Sequence, residues 1–128
     1  MNKYKVISKN QQGGITAGEI YINTNLQKLV LIQDEDKNNN GHWKKNLIFG
    51  SENNIGLNNI RFTIKFDSNF NSVSSAIVGN GIVTRGTFKE QISEDKKIYL
   101  HNESILNPNN YIQIQFTSAE KLKILEIK

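Results

Sequence analysis

Residues 60 to 66, IRFTIKF, place an apolar side chain at every second position. Ile60, Phe62, Ile64 and Phe66 fall on one side, and Arg61, Thr63 and Lys65 on the other. Successive strand side chains point to opposite faces, so this pattern predicts a sheet with one buried face and one wet face. YIQIQF, 111 to 116, repeats it with Ile112, Ile114 and Phe116 inward and Gln113 and Gln115 outward. IYIN at 20 to 23 and KLVLIQ at 28 to 33 are two further strands split by a short polar turn, and KIYL at 97 to 100 is another. In SSAIVGNGIVTRG, Asn80-Gly81 separates two β-branched runs. That predicts a tight hairpin, because both central residues of a type I′ turn need positive φ.

The tail, TSAEKLKILEIK, supports two readings. Thr117 and Glu120 fit a capping box before a helix. Leu122 with Ile124, and Leu125 with Ile127, fit strand alternation with a slip between them. The strand is preferred, as a hairpin with 111 to 116. The polar, Asn-rich stretches 34 to 46, 51 to 59 and 101 to 110 read as connectors. Seven to nine strands with a turn signal about every 8 to 12 residues predict one all-β domain over 1–128. An antiparallel sandwich is expected, with a small closed barrel as the alternative.

The stretch NQQGGITAGEIYIN, 10 to 23, holds Gly13, Gly14 and Gly18, but no Walker loop and no G-x-G-x-x-G. Ile20 and Ile22 share a phase with Thr16 and Gly18, whereas Ile15 and Ala17 are in the opposite one. A phase change near a glycine is what a β-bulge produces. Gly18 is therefore expected at a bulge, with 9 to 14 as a mobile arm within a partly mobile segment 1–14. NQQGGITAG, residues 10 to 18, resembles a short Asn/Gly-rich motif of uncharacterised bacterial proteins. The resemblance implies no activity.

Composition narrows the picture. At 128 residues the chain is one domain's worth, large enough to bury a core. The absence of cysteine excludes disulfides, thiolate chemistry and cysteine-based zinc sites. Abundant Asn, Ile and Lys suggest an AT-rich bacterial or phage genome. MNKYKVISKNQQGG has no apolar signal region, and the longest aliphatic run, LVLI at 29 to 32, is too short to cross a bilayer. A cytoplasmic protein without membrane contact is expected. The formal charge of +4 favours an anionic partner, but the lysines are spread along the chain and form no tail.

Three stretches could carry chemistry. In DEDKNNNGHWKKNL, Asp36, Asn38, Asn40 and Gly41 match the first half of a calcium loop. The bidentate Glu that should close it is Leu47, and Lys44 and Lys45 add positive charge. This weak metal candidate is expected to be a solvated hairpin loop. In HWKK, the single Trp43 stands beside His42, Lys44 and Lys45. That grouping could stack and neutralise a single-stranded nucleic acid or a phosphorylated ligand, or Trp43 could anchor the core. Arg61, Lys65, Arg85 and Lys89 would form a basic face if their strands pair.

His42 and His101 both fall in predicted loops, without Ser-His-Asp spacing, H-E-x-x-H or paired carboxylates. No enzyme and no cofactor is expected. The expected function is a non-enzymatic interaction module that binds a protein partner or itself through an edge strand or apolar patch. Its candidate contact residues are Trp43, Lys44, Lys45, Arg61, Lys65 and Arg85. The terminal strand 122 to 127, beside Lys121, Lys123 and Lys128, is expected at a sheet edge. The alternative is a sensor barrel holding an anionic ligand such as a nucleotide. Nucleic-acid binding is expected to be weak at most and sensitive to salt.

Overall fold

Two antiparallel sheets pack face to face in the computed structural model, which describes residues 3–6, 20–24, 27–86, 88–93, 96–102 and 106–128. The described residues form eleven strands: β1 (Lys3–Val6), β2 (Ile20–Thr24), β3 (Gln27–Asn39), β4 (His42–Ser51), β5 (Ile60–Phe66), β6 (Ser72–Gly79), β7 (Ile82–Arg85), β8 (Lys89–Ser93), β9 (Lys97–Asn102), β10 (Tyr111–Ser118) and β11 (Ile124–Ile127). The first sheet runs β1-β2-β3-β4-β10-β6-β7 and the second β11-β5-β9-β8. This is the expected sandwich and not a closed barrel. The count exceeds seven to nine partly because KEQIS, the sequence of β8, is exposed at every position and carries no clear apolar alternation.

The period-two runs set the core. Ile60, Phe62, Ile64 and Phe66 of β5 and Ile112, Ile114 and Phe116 of β10 are all buried from the two sides of the sandwich. Phe49 meets Phe62 at 5.0 Å between ring centroids, and Phe116 meets Phe66 edge-on at 4.8 Å. Edge-to-face rings at such spacing add to the burial of their area.

The Asn80-Gly81 turn forms as predicted, pairing Gly79 with Ile82 with φ of 53° and 73° at its two central residues. The same chemistry recurs at Asn40-Gly41, with φ of 53° and 85°, closing Asn39 against His42. The stretch 34 to 46 is thus not a connector. It is the outer half of a long β3–β4 hairpin, in which cross-strand pairing holds the polar residues extended.

The tail is a strand, but its expected hairpin with β10 is not formed. After Ser118 the chain crosses to the other sheet, and β11 pairs with β5. A register shift does occur, between Ile124 and Glu126, and Leu122, Ile124 and Ile127 are buried, but Leu125, expected to share the phase of Ile127, is exposed. Leu122, within the crossing, is buried in the core. As expected, this last strand is a sheet edge. The arm at 9 to 14 and the bulge at Gly18 lie outside the described residues, while Lys3–Val6 pairs with β2.

Candidate functional site

The HWKK stretch divides between the two faces of β4. Trp43 and Lys45 share the inward phase of Leu47 and Phe49, and Lys44 points outward, opposite Lys37 and Thr117. The four residues therefore do not form one grip, because strand periodicity separates neighbours. Trp43 is half-buried at the mouth of the sandwich, with the Lys121 ammonium 5.8 Å from its ring centre.

Lys45 lies deeper, with only 3% of its side chain exposed. Its ammonium contacts Asp34 Oδ1 and lies 3.2 Å from Asp36 Oδ2. A β-bulge puts these carboxylates there. Leu29 and Leu31 point inward, the register shifts between Leu31 and Gln33, and the inward phase passes to Asp34 and Asp36. Burial pushes the Asp34 carboxyl above its usual range, outweighing the pull of Lys45. Asp36 is thus committed to a cross-strand lysine rather than to a calcium loop. Asn38 Oδ1 accepts the Gly41 amide at 3.0 Å, and Asn40 is a turn residue. No cluster of metal-ligating side chains occurs among the described residues.

The outer face of the second sheet gathers the basic residues in three cross-strand rows. Arg61, His101 and Lys89 form the first, Lys128, Thr63, Tyr99 and Gln91 the second, and Glu126, Lys65, Lys97 and Ser93 the third. Its five cations against the single carboxylate of Glu126 leave an excess of four, equal to the +4 of the whole chain. The half-exposed Tyr99 occupies its middle, 6.3 Å from the His101 ring. Arg85 does not join this face. It belongs to β7 of the other sheet, beside Ala76, Ser74 and Gln113 in a shallow polar hollow. Sequence proximity could not assign the sheets, and Lys97, Tyr99 and His101 entered the face only through the β5–β9 register. His42 is exposed at the hairpin tip, and His101 Nε2 lies 3.0 Å from the Asn59 side-chain oxygen.

A third feature lies at the side where both sheets end. β7 and β8 are edge strands connected through residues 86 to 88, and they border the same side of the sandwich. Ile82 is in register with Gly79 and shares the inward phase of Ile77, yet 65% of it is exposed. Ile92 pairs with the buried Ile98, shares its phase, and is 59% exposed. Val83, on the opposite face of β7, is 53% exposed. Among the described residues the sandwich is therefore open here, with core-phase isoleucines on two strands that pair with no further strand at their outer edges. The chain matches no family model and no curated protein.

Proposed function

We propose that the protein is a non-enzymatic interaction module that takes an extended segment of a partner protein, or of a second copy, onto the open β7/β8 side. The observation that carries this reading is the exposure of Ile82 and Ile92 in the inward phase of two edge strands. An edge strand offers unpaired N–H and C=O groups at regular spacing, and an added strand supplies both hydrogen bonds and apolar cover. The isoleucines would fill alternate side-chain positions of the incoming strand. Lys89 and Arg85 flank the opening and favour a partner with acidic residues at its margins.

The test is light scattering across a concentration series together with capture from a lysate of the native host. Ile82→Glu and Ile92→Glu should abolish self-association or capture while leaving the circular dichroism spectrum unchanged. A strictly monomeric protein whose captured partners are unaffected by both substitutions would remove this reading.

The basic outer face of the second sheet favours a second reading, in which an anionic ligand lies across Arg61, Lys65, Lys89 and Lys97 around Tyr99. Such binding rests on charge, so it should weaken steeply as salt rises. Retention on a polyanion resin, lost on substituting Lys65 and Lys97 together but not on substituting Arg85, would support it.

A further inference from the structure

We propose that Lys45 and Asp34 become joined by an intramolecular amide bond, formed within the folded sandwich, with Asp36 as the proton carrier. Three observations point to this chemistry. The nucleophilic nitrogen already rests on the carboxyl group it would attack, since the Lys45 ammonium touches Asp34 Oδ1, an oxygen bonded to the electrophilic Cγ. Reacting atoms held at about 3 to 3.5 Å in a fixed orientation gain much of the rate that a bimolecular encounter would lack. The setting is largely buried: the Lys45 side chain is 3% exposed and those of Asp34 and Asp36 15%, and the register neighbour of Lys45 on β10 is Phe116, packed edge-on against Phe66 and Phe70. A third group is in place to move protons, because Asp36 stands directly opposite Lys45 and reaches its nitrogen through Oδ2, while its Oδ1 is buried without a hydrogen-bond partner.

The reaction takes one ammonium and one carboxylate out of a largely buried site, where each ion is costly to hold. The net charge is unchanged, and Lys121, whose charge also acts on Asp34, remains as the nearby cation. Burial also favours the protonated form of the Asp34 carboxyl, which is the better electrophile.

The step balances within these three side chains. Lys45 passes one ammonium proton, by way of Asp36, to the Asp34 carboxylate, leaving a neutral amine and a carboxylic acid. The Nζ lone pair attacks Cγ of Asp34 and forms the N–C bond. Asp36 takes the surplus proton from nitrogen and returns it to the departing hydroxyl, so the C–O bond breaks and water leaves. One ammonium and one carboxylate become one amide and one water, and nothing is oxidised or reduced. The product staples β3 to β4 along the outer half of the hairpin, where polar residues supply little packing.

Intact mass spectrometry of the purified full chain tests the proposal. The folded protein should be one water lighter than its sequence mass. A tryptic digest should contain a species joining residues 29–37 to residues 45–61, because an acylated Lys45 resists cleavage. Lys45→Met and Asp34→Ala should show the full mass. Asp36→Asn keeps both reacting groups and nearly the same shape, so it should also retain the water, or lose it far more slowly, while remaining folded by circular dichroism. Wild-type protein that stays at full sequence mass after prolonged incubation in the folded state overturns the proposal. So does a lost water that maps to other residues. Bond formation in Asp36→Asn at the wild-type rate overturns the role given to Asp36.

Discussion

Ser75 on β6 donates a 2.6 Å hydrogen bond to the Glu90 carboxylate on β8, tying the two sheets together beside their open edges. Ser75 is buried, in register with Ile114, and occupies an inward position that would otherwise hold an apolar side chain. The bond therefore holds the otherwise exposed β8 against the core. Ser75→Ala should lower stability by about 1.5 to 3 kcal/mol, the range for a hydrogen bond to a charged group. A denaturant midpoint in urea measures it, and hydrogen exchange should show β8 opening more readily than β9.

Core and surface positions of one strand should differ sharply. Ile64 and Ile114 are fully buried, so replacing either with Ala should cost about 2 to 5 kcal/mol. Gln113 lies on the outer face of β10, where it donates to Asn46 at 3.0 Å. Gln113→Ala should cost no more than about 1 kcal/mol. Equal losses at Ile114 and Gln113 would contradict the inward and outward assignment.

Gly79 is constrained by a close approach. A Cβ there would stand 2.0 Å from the Asn110 side-chain oxygen and 3.0 Å from the backbone oxygen of Asn109. The backbone atom cannot swing away as a side-chain tip would. Gly79→Ala should destabilise the fold by about 1 to 3 kcal/mol, the range for overpacking. Thermal unfolding at fixed concentration reads it out.

Trp43 reports on the mouth of the sandwich because it is the only tryptophan. Half-buried beneath Lys121, it should emit between the limits for buried and free indole and be quenched only partly by acrylamide. Lys121→Ala should shift emission to longer wavelength and cost about 0.5 to 1 kcal/mol, as expected of an exposed cation–π pair. Emission at the position of free tryptophan would show that Trp43 is an open stacking surface instead.

The β7/β8 opening makes its own prediction about solution behaviour. Ile82→Lys and Ile92→Lys each remove exposed apolar surface without touching the buried core. Each should leave stability within about 0.5 kcal/mol, as is usual for surface changes. Both should reduce concentration-dependent scattering if copies meet through these edges.

Much of the fold was legible because strand periodicity is a local signal. IRFTIKF and YIQIQF identified their buried faces, Asn80-Gly81 its turn, and the phase slip in KILEIK its bulge, each from residues adjacent in the chain. A hairpin was expected around Asn40-Gly41, but not that its arms would pair as strands out to the turn, since alternating Asp and Asn suit a solvated loop as well as a strand. The inward carboxylates were hidden for a sharper reason. A bulge of one residue after Leu31 reverses the facing of everything beyond it, and no polar residue announces that in advance.

Local pattern thus determined the class of the protein: an all-β chain, with its main core residues and one tight turn in place, and a surplus of positive charge. Tertiary structure alone decided which strands became neighbours. It sent the last strand across to β5, gathered Arg61, Lys65, Lys89 and Lys97 on one face while leaving Arg85 on the other sheet, and brought Lys45 between Asp34 and Asp36. The reason is physical. Which way a side chain faces follows from backbone geometry over a few residues, whereas sheet order is chosen by burial of apolar surface between segments far apart in the chain.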